Sequence, residues 1–232
     1  LLDKISRGEK LTFYRGNNSV NDILSGNIKK SNRKVKNSCS ESCEPFWLYK
    51  MNVYLLIPFY KDKKNSRNKE LLYCLNKNLS NKLITQVIAV CDSRIKLKHH
   101  PKLHVIINEG VRQKFSHLSE LGGWFNPNGI NIIANADIFF KEEDIKKLTK
   151  IDYTNNVVAL SRWDVIKNSQ PKHHDHKDSQ DVWAFKGKLN IDGDFEMGKA
   201  GIDNRLAYEI GLNYNIVNPS NTIKSYHLHL SN

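Results

Sequence analysis

Three observations predict an α/β fold built on a mixed, mainly parallel sheet flanked by helices. Continuous apolar runs of strand length recur between residues 52 and 164 without polar alternation, the mark of strands buried on both faces. Segments with apolar residues at helical spacing lie between several of these runs. Run after run closes on polar residues, acids among them. The order strand, helix, strand, strand, helix, strand, helix, strand belongs to a sheet covered on both sides, whose ligands sit outside the carboxyl ends of the strands.

NVYLLIPFY (52–60) reads as the first buried strand, ended by Pro58. RNKELLYCLNKNLS (67–80) follows as a helix with Leu71, Leu72, Leu75 and Leu79 on one stripe. LITQVIAVCD (83–92) and LHVIIN (103–108) are the second and third strands, ending at Asp92 and at Asn108 with Glu109. QKFSHLSELGGW (113–124) predicts a helix stopped by Gly122 and Gly123. INIIANAD is the fourth strand. EEDIKKLTKI (142–151) begins with acids and ends with lysines, as a helix macrodipole favours. NVVALSRWD (156–164) is the fifth strand.

DSQDVWAFKG (178–187) alternates polar and apolar residues and reads as a further strand with an acidic pair, Asp178 and Asp181. GKAGIDNRLAYEIG predicts a helix from about Ile202 to Ile210, stopped by Gly211 and followed by a short strand, NYNIVN. Asp203 and Arg205 fall in its first turn, where backbone N–H groups and an arginine hold anionic or hydroxyl-rich ligands. SYHLHLSN places His227 and His229 two apart, on one face of an extended segment.

The 232 residues divide into a polar, basic segment (1–48) and an α/β domain (49–232). Within the first segment, SVNDILSG (19–26) suits one short helix and residues 29–44 a flexible basic linker. The chain starts Leu-Leu-Asp-Lys without methionine, so further domains are expected in the full-length chain. No stretch of about 18 apolar residues exists to span a membrane, and a cytoplasmic protein is expected. A formal charge of +12 suits nucleic acid, an anionic membrane face or a phosphate-bearing small substrate. No basic run is interleaved with aromatics, which argues against nucleic acid. Of the four cysteines, Cys74 and Cys91 read as reduced core thiols; Cys39 and Cys43, bonded or free, form a lone C-x3-C pair, too little for a zinc ribbon. HHDHKD (173–178) reads as a polar loop rather than a zinc site.

A strand-end carboxylate and a histidine from far along the chain can hold Mn2+ or Mg2+, with phosphate oxygens completing the shell. Asp137 is the acid, His227 or His229 the histidine, and Asn135 the neighbour toward ribose or sugar. One carboxylate of the pair Asp178 and Asp181 is expected to accept a proton from an incoming hydroxyl or to steady a developing positive sugar centre. Trp163 and Trp183 are candidates for stacking on sugar faces, Trp183 on the acceptor side, and Arg162 with Asp164 for lining a pocket.

LIPFY, CDSR, NEGVRQKF, IIANADIFF, ALSRWD, DSQDVWAFKG, GIDNRLAYEIG and NPSNTIKSYHLHLS occur in this order. As an ordered set over residues 52–232 they resemble nucleotide-sugar glycosyltransferases of the GT-A (Rossmann-like) fold found in bacteria and large viruses, including the chlorella-virus type. The resemblance implies that Pro58, Phe59 and Tyr60 line the base pocket, with Asp92 and Arg94 by the nucleoside and Arg112 on the donor. It places the Asp-x-Asp metal motif on Asn135-Ala136-Asp137, where the first acid is an amide and Asp137 is left as the principal acidic ligand. His227 or His229 takes the place of the family's late metal histidine, and Asp181 that of a catalytic or acceptor-side carboxylate.

The expected function is transfer of a sugar from a UDP- or GDP-linked donor to a saccharide or glycan hydroxyl, in polysaccharide biosynthesis. Asp181 and Asp203 are the expected catalytic carboxylates, and Arg205 contacts the donor. Two alternatives are a nucleotidyltransferase and a non-catalytic carbohydrate- or nucleotide-binding module. The first is disfavoured because KDKKNSRNK (61–69) is basic but lacks the glycines of a phosphate loop.

Overall fold

The computed structural model describes residues 13–14, 51–166, 169–175, 179–199 and 201–229. The expected helix at 19–26, the linker at 29–44, Cys39, Cys43 and Asp178 lie outside them. In chain order the strands are Phe13–Tyr14 (β1), Val53–Phe59 (β2), Gln86–Cys91 (β3), Leu103–Ile107 (β4), Ile130–Ala134 (β5), Ile138–Phe139 (β6), Asn156–Leu160 (β7), Arg162–Ile166 (β8), Lys172–His173 (β9), Val182–Lys186 (β10), Asn215–Val217 (β11) and Ser225–His229 (β12). The helices are Asn65–Ser80 (α1), Phe115–Phe125 (α2), Glu142–Leu148 (α3) and Ile202–Gly211 (α4).

The main sheet has the order β1-β4-β3-β2-β5-β10-β7-β11. β4, β3, β2 and β5 run parallel, so their carboxyl ends share one edge. β10 enters antiparallel between β5 and β7. Both faces are apolar because both are covered. Leu55, Ile57, Ile132 and Ala134 pack with Leu71, Leu75 and Leu79 of α1 and Ile145 and Leu148 of α3. The alternate residues Leu56, Ile133, Trp183 and Phe185 pack with Phe115, Leu118 and Leu121 of α2 and Leu206 and Ile210 of α4. Each fully buried Leu, Ile or Phe side chain contributes about 1.5–3 kcal/mol, which explains the absence of polar alternation in these strands.

Several expected boundaries move. Pro58 does not end β2, which runs through it to Phe59. Pairing with β5 stops at Leu56, so Pro58 lies where β2 is bordered by β3 alone. Leu72 is exposed, and the buried stripe of α1 is Leu71, Cys74, Leu75, Asn78 and Leu79. Gly122 and Gly123 lie within α2 rather than stopping it. A Cβ at Gly122 would stand 2.9 Å from Asn131 Cγ, and one at Gly123 2.7 Å from Lys188 Cβ, so these glycines let the helix lie close on the sheet. NVVALSRWD is two strands, β7 and β8, in different sheets with Ser161 between them.

The second sheet, β6-β12-β8-β9, positions the late histidine. β12 lies between β6 and β8, and its register sets His227 opposite Ile138 on one side and Asp164 on the other. His227 thereby reaches the end of β5, 90 residues away in sequence. Among the described residues no helix is long and apolar enough to cross a membrane.

Candidate active site

A cleft of about 1170 Å³ opens at the shared carboxyl edge of β2, β3 and β5. Ten predicted site residues line it: Pro58, Phe59, Tyr60, Asp92, Arg112, Asn135, Asp137, Arg162, Asp181 and His227. They converge because parallel strands deliver their C-terminal loops to one edge, while β12 crosses from the smaller sheet.

At the floor, Asp137 is buried, and its Oδ2 faces His227 Nε2 at 2.9 Å and accepts from Arg67 Nη2. Its Oδ1 is buried with no hydrogen-bond partner among the described residues. Burial pushes the Asp137 carboxyl up, but His227 and Arg67 outweigh it and hold the group at about 2. Burial likewise disfavours the His227 imidazolium, yet the Asp137 carboxylate raises it above its ordinary value. On the other side of the ring, His227 Nδ1 lies 3.1 Å from Asp164 Oδ1. Asp164 Oδ1 also accepts from Arg162 Nε at 2.9 Å. Burial would raise the Asp164 carboxyl; Arg162 and His227 hold it below its ordinary value.

Asn135 donates through Nδ2 to Asp181 Oδ1 at 2.7 Å. Asp181 Oδ2 lies 3.5 Å from Arg162 Nη1. Burial, with Asp137 nearby, leaves the Asp181 carboxyl above its usual range despite Arg162. Asp137, His227, Asp164, Arg162, Asp181 and Asn135 thus form one continuous polar chain along the cleft.

No protein-family model and no curated protein matches the chain. Solved structures do. The structure of S. aureus TarS 1–349 in complex with UDP-GlcNAc matches with a TM-score of 0.52 at 13% identity, covering 78% of this chain and 60% of that one. TarS 1–349 in complex with UDP matches with a TM-score of 0.52 at 14% identity, over 77% and 61%. The mannosyltransferase PcManGT from Pyrobaculum calidifontis, in complex with GDP-Man and Mn2+, matches with a TM-score of 0.50 at 14% identity, over 78% and 57%. The fold is GT-A. The chain spans about three fifths of the length of these structures.

Asp164, Arg94, Asp203 and Arg205 are not among the described residues that line this GT-A cleft. Asp164 lies behind it, bonded to Arg162 and His227. Arg94 is largely exposed and pairs with Glu109 at 2.7 Å. Asp203 and Arg205 sit on the first turns of α4, outside the lining, although Met197 and Gly198 just before them belong to it. Arg205 pairs with Glu209 at 2.7 Å and lies over the Phe195 and Tyr208 rings. His229 is in β12, but its side chain lies outside the described residues.

Trp183 requires a correction. It is 1% exposed and packs edge-on against Phe115 within the core, so its indole has no free face for an acceptor sugar. The alternation of β10 turns Trp183 to the α2 side, as it does Phe185.

Sequence reasoning missed Lys61, Lys64 and Arg67, all on the cleft wall. KDKKNSRNK lacks the glycines of a phosphate loop yet still supplies cations to the cleft. Its signal was placement, since a basic loop directly after the first parallel strand reaches the ligand edge without glycine. Arg112 is partly committed elsewhere, donating to the carbonyls of Met197 at 3.1 Å and Gly198 at 3.3 Å.

The donor set at Asp137 fits a divalent ion. Asp137 Oδ1 is a buried carboxylate oxygen without a partner. The Asp137 carboxylate and the His227 imidazole, in contact at 2.9 Å, supply oxygen and nitrogen donors of the kind Mn2+ accepts. Among the described residues no three His, Cys, Asp or Glu side chains group to hold an ion, so phosphate oxygens and water are needed to complete its shell.

Proposed function

We propose that this chain is a glycosyltransferase that moves a sugar from a nucleoside diphosphate sugar to a saccharide hydroxyl. The observation that carries the reading is the Asp137–His227 pair, with its unpartnered Asp137 Oδ1, on the floor of a cleft lined by Lys61, Lys64, Arg67, Arg112 and Arg162. A ligand that brings a diphosphate and a cation together satisfies both features.

In this reading Pro58, Phe59, Tyr60 and Asp92 take the base and nucleoside at the ends of β2 and β3. Lys61, Lys64 and Arg67 face the diphosphate. Asp137 and His227 would hold Mn2+ or Mg2+, which would supply Lewis-acid neutralisation of the leaving diphosphate. Asp164 orients His227 through Nδ1 and leaves Nε2 toward Asp137. Asp181 positions the acceptor hydroxyl and takes its proton; a carboxyl raised by burial is the stronger base of the ionised acids here. Asn135 holds Asp181 Oδ1, which directs Oδ2 to that task. Asp203, in the first turn of α4, is the second catalytic candidate.

Calorimetric titration of UDP and GDP, each with and without Mn2+, tests the donor site. Binding of one nucleotide, tightened by the ion, is the expected result; no heat with either nucleotide in either condition sinks the reading. A donor screen reading released nucleoside diphosphate then separates an enzyme from a binding module.

A further inference from the structure

The Asp137 carboxylate already has a cation on it. Arg67, in the first turn of α1, donates Nη2 to Asp137 Oδ2, the oxygen that also faces His227. Its Nη1 donates to Glu70 Oε2 at 2.7 Å, one turn further along the helix. Glu70 is fully buried and off the cleft wall. The guanidinium is therefore anchored at one end by an acid that a ligand does not reach. Its other end rests on the group assigned to the ion. Tyr60 OH, 3.4 Å from both Nε and Nη2, borders it on the cleft side.

This arrangement sets two ligands against one occupant. A divalent ion approaching Asp137 meets a positive charge on the same oxygen, and like charges so close repel strongly where water is scarce. Freeing the carboxylate takes a charge-assisted hydrogen bond from the guanidinium, a loss that another anion can make good. A diphosphate in the cleft is such an anion, and a guanidinium forks onto phosphate oxygens as readily as onto a carboxylate. The neutral amide of Asn135 adds no negative charge to offset the guanidinium, and its Nδ2 is given to Asp181.

We propose that Arg67 is a latch between the ion and the donor: it closes Asp137 in the empty cleft and passes Nη2 to the diphosphate when nucleotide and ion enter together. Arg67 is a positioning residue in this scheme, and the scheme rests on the donor reading above. It has a signature that a structural role lacks. Removing the latch moves the two single-ligand affinities in opposite directions, because Arg67 opposes the ion and assists the anion.

The test is calorimetry of Mn2+ alone and of UDP or GDP alone on the wild-type chain and on Arg67→Gln. Mn2+ alone is expected to bind the variant on the order of tenfold more tightly, and the nucleotide alone on the order of tenfold more weakly, shifts within the range of ordinary site coupling. Arg67→Gln with Glu70→Gln also neutralises the buried acid whose ion pair with Arg67 the single change breaks, and it carries the test where the single variant does not fold. Arg67→Lys keeps the charge, so Mn2+ alone should bind it no more tightly than wild type. Unchanged or weaker Mn2+ binding in both glutamine variants, with nucleotide binding to wild type intact, overturns the latch and leaves the donor reading standing. Failure of both nucleotides to bind wild type, with or without Mn2+, overturns the donor reading and the latch with it.

Discussion

Asn135 gives its side-chain N–H to the Asp181 carboxylate at 2.7 Å, across the antiparallel seam between β5 and β10. This contact accounts for the amide where an acid is expected before Ala136-Asp137. A carboxylate at 135 would meet another carboxylate at hydrogen-bond distance, and two such acids do not both ionise readily.

Asn135→Asp should therefore destabilise the fold by about 1–3 kcal/mol near pH 8. The new pair shares a proton, so its folded-state pKa is raised and its ionised form is disfavoured. Stability then falls as pH rises, and the loss should shrink on lowering the pH to 5. Urea unfolding at both pH values measures this, and an equal loss at both would show that charge is not the cause.

Asp137→Asn keeps the shape and removes the charge. Release of nucleoside diphosphate from the donor is expected to fall by about 100-fold or more, as loss of a Lewis-acid contribution of a few kcal/mol implies. Thermal unfolding should remain cooperative. Retained turnover would place the ion elsewhere.

The stability of the Asp137–His227 pair has two pH limits. Asp137, lowered from 3.8 to about 2, contributes above its unfolded value and loses that contribution as pH falls through about 2. The shift corresponds to about 2 kcal/mol. His227, raised above 6.5, contributes fully below 6.5 and loses its share as pH rises through the higher folded value. Maximal benefit from the pair is expected between about pH 4 and 6.5. His227→Gln should remove the alkaline limb, which denaturant unfolding across pH reads directly; an unaltered limb would assign it to another group.

Trp183→Ala tests the corrected role of that side chain. Loss of a fully buried indole should cost about 3–5 kcal/mol, seen as a lower urea midpoint. The acceptor KM of the folded fraction should stay near wild type at low temperature. A large rise in KM with little change in stability would return Trp183 to the acceptor side.

Much of the fold was legible because burial leaves a local trace. A strand covered on both faces is apolar at nearly every position, and the runs at 52–60, 83–92 and INIIANAD showed it, the buried Asn131 giving its side-chain N–H groups to Asn126 and Gly187. The edge where the cleft opens followed from parallel order, and Pro58, Asp92 and Asp137 line that cleft. Gly122 and Gly123 misled because a glycine that ends a helix and one that admits a close neighbour look alike in sequence. Trp183 misled because alternation names two faces without saying that both are covered.

The amino-acid sequence by itself determined the buried strands of the main sheet and the helices between them, since burial and helical spacing show within a few neighbouring residues. Only the tertiary structure decided which groups meet at the edge where the cleft opens. Arg67 reaches Asp137 over 70 residues, Asn135 reaches Asp181 over 46, and His227 reaches Asp137 over 90. These pairings follow from strand order and from β12 lying between β6 and β8. Charge on a side chain can be read from the sequence, but the charge that answers it is set by packing.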